Sequence, residues 1–316
     1  MSKKTLDQTE IDQTASLDRR NFLISGAVAG IAATGAGIGT AMAQPASGQA
    51  PKTNSPSGKR VAIITDTRLN IGPHLARRMA PLNYNLVIAD VPDGLPEELE
   101  GLGAAKVVVV PGLEQEGPNN EGRPGAIQKV VDAAIKEFGS FDSAFIRTAI
   151  HVGKDILEET TENMQISYEQ NCLAVMYALQ AVLPPLVKAG AGQVVVQTSA
   201  TGQKPQPTMM SYSVMRAAAD MMVRCAAMTV APKGVCVNSV GTNFMNYPGF
   251  RESAGAEDPE VYQSILNEIP MRRLGETEEA AHFTLALLDG YNMYTTGNNF
   301  PIAGGFNNVG MEPFGK

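Results

Sequence analysis

From Lys59 onward, short apolar runs alternate with segments whose apolar residues recur at helical spacing. Arg60-Val-Ala-Ile-Ile-Thr65, Asn85-Leu-Val-Ile-Ala-Asp90 and Lys106-Val-Val-Val-Val110 predict three strands, with a helical pattern around Pro73 to Leu82 between the first two. Gly125 to Phe138 predicts a helix, apolar at Ile127, Val130, Val131, Ala134 and Ile135. Asp142 to Ile150 predicts a fourth strand and Ser167 to Ala189 a long helix. Val194 to Val196, Ser211 to Val230 and Val235 to Val240 continue as strand, helix, strand, and Thr296-Gly-Asn-Asn-Phe-Pro-Ile-Ala303 reads as the last strand. Such alternation builds a parallel sheet with helices on both faces. The expected fold is α/β: one doubly wound parallel sheet over residues 60–316, with no internal repeat.

The first residues stand outside that pattern. Asp18-Arg-Arg-Asn-Phe-Leu23 precedes a weakly apolar Gly/Ala-rich run ending in Ala41-Met-Ala43, an A-x-A cleavage signal. Paired arginines before such a run resemble a twin-arginine export signal, so residues 1–43 are expected to direct export to the periplasm. The run is also about long enough for a membrane anchor. Its Gly and Ala content and its A-x-A end favour cleavage, which leaves no stable membrane span. Residues 44–59 are rich in Pro, Ser and Gly and read as a flexible linker.

Composition narrows the functional classes. The 316 residues are 44% hydrophobic, ordinary for a globular core, and the net charge of −7 without a dense basic run argues against nucleic acid as a partner. Cys172, Cys225 and Cys236 have no CxxC spacing, and His74, His151 and His282 are far apart. Neither a disulfide framework nor a metal site is indicated.

Candidate chemistry lies in a spaced trio. Tyr212 follows Ser199 by thirteen residues, and Arg216 follows Tyr212 by four. Positions i and i+4 share a helix face, so phenol and guanidinium can sit side by side. A fixed positive neighbour lowers the pKa of a tyrosine and makes a phenolate accessible. Ser199, beyond the run Gln193-Val-Val-Val-Gln197, is placed to hold a substrate oxygen, and the trio proposes proton transfer at a hydroxyl. In doubly wound sheets ligands sit beyond the carboxyl ends of the strands. Thr65-Asp-Thr-Arg-Leu-Asn-Ile-Gly72, Ser199 and Gly241-Thr-Asn-Phe-Met245 all lie just past strands and should converge on one crevice.

Val194-Val-Val-Gln-Thr-Ser-Ala-Thr-Gly202 with Tyr212-Ser-Val-Met-Arg-Ala-Ala218 resembles the catalytic segment of the short-chain dehydrogenase/reductase superfamily, whose fold is Rossmann-like. Arg216 stands where that pattern has lysine. Ser-Tyr-Arg resembles the halohydrin dehalogenases of that superfamily, which use no nicotinamide and release halide from vicinal haloalcohols. The resemblance implies that Thr242, Asn243, Phe244 and Met245 form a halide pocket where nicotinamide otherwise lies, with Asn70 at a lining position. Asn171, in Glu169-Gln-Asn-Cys172, instead matches the dehydrogenase pattern, where asparagine supports a proton relay through water.

The cofactor fingerprint of the superfamily, Thr-Gly-x-x-x-Gly-x-Gly, reads here Thr65, Asp66, Asn70 and Gly72. Asn tolerates positive φ, so the turn can persist. A carboxylate at Asp66 about 4 Å from a phosphate costs roughly 1–4 kcal/mol, and a nearby cation such as Arg147 would offset it. Asp90, ending the second strand, is where an acidic group would bind an adenosine ribose. Ile146-Arg-Thr-Ala-Ile150 replaces the usual Asn-Asn-Ala-Gly, and Thr242-Asn243 replaces Pro-Gly.

The leading expectation is therefore a cofactor-independent lyase. In it Tyr212, activated by Arg216, deprotonates a haloalcohol held by Ser199, and the alkoxide expels halide to give an epoxide. Export adds to this reading, because the periplasm has no comparable nicotinamide pool. The alternative is an NAD(P)-dependent oxidoreductase acting on an alcohol or carbonyl; a third reading is a non-catalytic binding module. A small-molecule alcohol or haloalcohol is the expected partner, and the resemblance implies a homo-oligomer, dimer or tetramer.

Overall fold

The structure is a computed structural model, which describes residues 51–111, 125–148 and 151–308. The expected export signal, the linker as far as Ala50, and Ala149-Ile150 at the end of the expected fourth strand lie outside the described residues.

Nine strands form among the described residues: β1 (Val61–Ile64), β2 (Asn85–Ala89), β3 (Lys106–Val110), β4 (Ser143–Arg147), β5 (Gly192–Ser199), β6 (Val235–Thr242), β7 (Met245–Asn246), β8 (Gly275–Glu276) and β9 (Asn299–Ile302). The helices are α1 (Ile71–Met79), α2 (Leu95–Gly101), α3 (Ala126–Phe138), α4 (Thr161–Tyr168), α5 (Ala174–Ala189), α6 (Met210–Val230), α7 (Phe250–Ser253), α8 (Pro259–Glu268) and α9 (Thr277–Ala286). Seven strands pair in the order β3-β2-β1-β4-β5-β6-β9, all parallel, and β7 pairs separately with β8. The order reverses between β1 and β4, the switch point where such sheets open a ligand crevice.

Alternating strand residues feed two apolar layers. Val61, Ile63, Val87, Ala144, Ile146, Val194, Val196 and Val237 face one way, against Val130 and Ala134 of α3, Val175 and Val182 of α5 and Val223 of α6. Ala62, Ile64, Leu86, Ile88, Phe145, Val195 and Val240 face the other way, against Leu75 and Met79 of α1 and Ala280 and Ala281 of α9. Period-two alternation with both faces buried explains why these strands read as continuous apolar runs. The continuous helical stretch from Thr161 to Ala189 is long and apolar enough to cross a membrane by composition, but its α5 portion is built into the first layer.

Three details differ from the sequence expectations. The helical stretch expected from Ser167 begins at Thr161, because the Thr160 hydroxyl accepts the Asn163 amide and caps α4. A π-helical turn, Glu169–Leu173, interrupts it before α5. The expected linker is anchored from Thr53 onward. Thr53 Oγ1 donates to Asp142 Oδ2 at 2.9 Å, and Asn54 Nδ2 donates to the carbonyls of Phe141 and Ala191. Ser55 Oγ donates to the Phe138 carbonyl. Its Pro/Ser-rich composition lacks apolar periodicity, so these polar anchors left no pattern to read.

Candidate active site

The carboxyl ends of β1, β4, β5 and β6 bring the expected segments together. Thr65, fully buried, accepts the Arg147 amide on its hydroxyl at 3.0 Å, tying the β1 turn to the end of β4. The turn from β1 into α1 keeps its tight course without two of the expected glycines. Asn70 takes a positive φ of 57° at the helix start, a backbone state that Asn enters more readily than most residues. At Gly72 a Cβ would land on the Asp66 carbonyl oxygen, so only glycine fits there.

Asp66 is sealed and paired. Its carboxylate accepts from Arg147 Nη1 and from the Arg68 backbone amide at 2.8 Å, and Arg68 Nε lies 3.5 Å away. Arg68 Nη2 also donates to Asp90 at 2.7 Å. Two guanidinium groups thus balance two carboxylates across the ends of β1, β2 and β4. The carboxylate that the fingerprint placed near a phosphate is neutralised by ion pairing with Arg147. Arg68 lies inside the fingerprint, but its bridging role needed the spatial approach of β2 to be visible.

The expected trio is assembled on β5 and α6. Ser199 Oγ accepts from Thr201 Oγ1 at 3.0 Å and lies 3.4 Å from the Thr242 carbonyl, to which it donates. The Arg216 guanidinium sits over the Tyr212 ring, 5.1 Å from its centroid, as the i, i+4 spacing requires. Arg216 is 1% exposed and donates Nη2–H to the Thr148 carbonyl, while Nε and Nη1 find no partner among the described residues. Asn171 is buried in the π-helical turn and donates to Ser167 Oγ at 3.1 Å. Asp220, one turn beyond Arg216 on α6, accepts from Ser239 Oγ at 3.0 Å. Burial raises its carboxyl pKa against the hydrogen bonds and the Arg216 charge. The same i, i+4 spacing that exposed Arg216 could have found Asp220.

The halide pocket expected from Asn70 and Thr242–Met245 is gathered only in part. Asn243, Phe244 and Met245 line one cavity with Met271 and Arg273. Neither Asn70, at the start of α1, nor Thr242, whose hydroxyl faces Gln197 at 3.4 Å, is among its walls. Phe244 adopts φ 52°, uncommon for a bulky residue, and packs edge-on to Phe306 with centroids 5.1 Å apart.

A loop not expected in the site completes it. Lys154 O accepts the Met210 amide at 3.1 Å, and Glu159 Oε2 accepts the Ser211 amide at 3.1 Å. The loop is thereby stitched to the start of α6, and its His151 ring meets Tyr212 edge-on at 5.2 Å. Burial raises the Glu159 pKa, but hydrogen bonds from Ser211, Asn163, Lys154 and Thr160 outweigh it and hold the carboxyl at about 2. A depressed carboxyl stabilises the fold above its unfolded pKa, and that contribution is lost as pH falls through the folded value. In differential scanning fluorimetry, the melting temperature of the native protein should fall relative to Glu159→Gln between pH 4.5 and about 2. Parallel curves would show that the clasp carries no linkage.

A doubly wound parallel sheet with Ser199 at the end of β5 and the Tyr212–Arg216 pair on α6 has the architecture of the short-chain dehydrogenase/reductase superfamily. The chain belongs to it: residues 67–307 match the family model described as enoyl-(acyl carrier protein) reductase. The chain is 28% identical over 253 residues to a 2,5-dichloro-2,5-cyclohexadiene-1,4-diol dehydrogenase, LinX, of Sphingobium indicum, covering 78% of this chain and 96% of that protein. It is 25% identical over 254 residues to the oxidoreductase UcpA of Escherichia coli K12, covering 78% and 94%. Among solved structures, L-sorbose reductase from Gluconobacter frateurii, complexed with NADPH and L-sorbose, superposes with a TM-score of 0.70 at 22% identity, covering 79% of this chain and 97% of that one. These relatives are oxidoreductases by name, and they overturn the expected lyase in favour of its alternative. The expectation that no cofactor is used falls with it.

Proposed function

We propose that the protein is an NAD(P)-dependent oxidoreductase interconverting an alcohol and a carbonyl on a small molecule. The observation that carries this reading is the stacked Tyr212–Arg216 pair on α6, with Arg216 bonded to the Thr148 carbonyl just past β4, together with a first turn whose residues fit a dinucleotide. That fit rests on three features. Gly72 permits the close approach of α1 to the turn, and α1 begins with no side-chain cap over its first amides. Asp66 is charge-balanced by Arg147. The unpartnered Nε and Nη1 donors of Arg216 stand buried beside Tyr212, where a ribose hydroxyl would satisfy them. A bound nicotinamide dinucleotide supplies the hydride acceptor or donor.

The chain's own residues do the rest. Ser199 holds the reacting oxygen by hydrogen bonding, and Tyr212 exchanges a proton with that oxygen. Arg216 provides permanent positive charge next to the phenol; unlike lysine it stays protonated and contributes electrostatics alone. Mass spectrometry of natively purified protein should detect retained NAD(H) or NADP(H), or an absorbance assay should detect dinucleotide turnover with alcohols. Absence of both would end the proposal.

A homo-oligomer is part of the same reading. On α6 the exposed residues Val214, Met221 and Met228 recur every seven positions, with 46%, 55% and 81% exposure, forming an apolar stripe along one side. Light scattering after size exclusion should give a dimer or tetramer, and Met221→Glu with Met228→Glu should give monomer. A native protein that elutes as monomer would remove this element.

A further inference from the structure

We propose that His151 is the proton-exchange partner of Tyr212, passing protons between the active-site phenol and solvent. The inference rests on the oxidoreductase reading of this site. Each turnover of an alcohol–carbonyl interconversion moves one proton, which must reach water or come from it. The groups nearest Tyr212 close off most routes. Arg216 holds its proton at every working pH. Asn171 is sealed within the π-helical turn, its amide committed to Ser167. Asp220 lies one turn beyond Arg216, engaged with Ser239.

His151 differs in kind. Its ring meets the Tyr212 ring edge-on at 5.2 Å while the side chain remains open to solvent. Its position is built by the loop that carries it. Gly153 lies so close to the Met209 and Met210 backbone that a Cβ there would approach it to 3.3 Å. Lys154 O and Glu159 Oε2 hold the Met210 and Ser211 amides on either side of that contact. On α6 Tyr212 is in ring contact with His151 and Arg216 packs on Tyr212, and the charged residues that follow along the His151 loop are Lys154, Asp155, Glu158 and Glu159. Partial burial of the His151 ring lowers its pKa below 6.5, which keeps the imidazole neutral and able to accept at neutral pH.

The proton balance is simple. On oxidation the substrate hydroxyl proton moves to Tyr212 Oη, then through a bridging water to an imidazole nitrogen, and the imidazolium releases it to water. Reduction runs the same path in reverse.

Two measurements test this. With three histidines in the chain, the His151 ring signals can be followed individually by NMR. Tyr212→Phe keeps the ring contact and removes only the hydroxyl, and should displace the His151 midpoint. An unchanged midpoint overturns the proposal, and this readout needs no turnover. In the turnover assay, His151→Phe and His151→Gln should lower kcat roughly tenfold to a hundredfold with KM little changed. Both should lose the acidic limb of the pH profile and regain rate with added imidazole. Unchanged kcat, or loss of rate with the native pH profile and no rescue, also overturns it. A native protein without dinucleotide turnover defeats the oxidoreductase reading instead, and the NMR result still decides whether phenol and imidazole communicate.

Discussion

Tyr212→Phe is expected to lower kcat by a factor of about a hundred to ten thousand while the fold and dinucleotide binding survive. That range corresponds to roughly 3–5 kcal/mol of lost transition-state stabilisation. The substitution removes one oxygen and keeps the ring, so Arg216 retains its stacking partner at 5.1 Å and His151 its edge contact at 5.2 Å. Melting temperature should stay near the native value, because the ring carries the packing. Steady-state kinetics at saturating dinucleotide, alongside titration of the fluorescence of the reduced dinucleotide, separate the two effects. A variant with native kcat would show that the reacting oxygen gets its proton elsewhere.

Arg147→Met should produce the largest loss of stability. Asp66 is wholly buried and Arg147 nearly so, with side-chain exposures of 0% and 12%. Removing one partner of a buried pair leaves an uncompensated charge, at a cost of about 3–5 kcal/mol. Arg68, at 3.5 Å and half-exposed, softens that penalty only in part. For a domain of this size the melting temperature should drop by roughly 6–20 °C. The double variant Asp66→Asn with Arg147→Met should recover much of the loss, because the buried charge is gone. Additive effects in that cycle would mean the two groups do not depend on each other. Dinucleotide affinity should fall in Arg147→Met for the same reason, since the turn would then carry an unbalanced anion.

Much of this architecture could be read from residues because its strands are buried on both faces. Runs such as Val61–Ile64 and Val194–Val196 announce themselves as continuous apolar segments bounded by turns. The Tyr212–Arg216 pair was legible because helical spacing alone places the two side chains together. Helices α2 and α7 were not, because they are short, nor was α9, because its weak amphipathicity leaves little periodicity to count. The π-helical turn depends on a backbone hydrogen-bond shift that no side-chain pattern records. His151 was visible only as an isolated histidine, since its place over Tyr212 comes from a loop folding back through Lys154 and Glu159. The expectation of a lyase fails for a physical reason. The exchange of lysine for Arg216 and of glycine for Asp66 looked like dismantling of a cofactor site. In the fold, Asn70 supplies the missing turn geometry and Arg147 cancels the added charge.

The sheet ends on one side at β3, whose only ladder partner among the described residues is β2. Its four consecutive valines, with Val109 42% exposed, leave one row of backbone donors and acceptors outside that ladder. Such a rim invites strand addition by another molecule and is a template for fibril growth. Lys106, drawn to Glu137 at one end, and Pro111, which cannot donate, at the other are the guards against it. Replacing either would leave that rim less protected against edge-to-edge association.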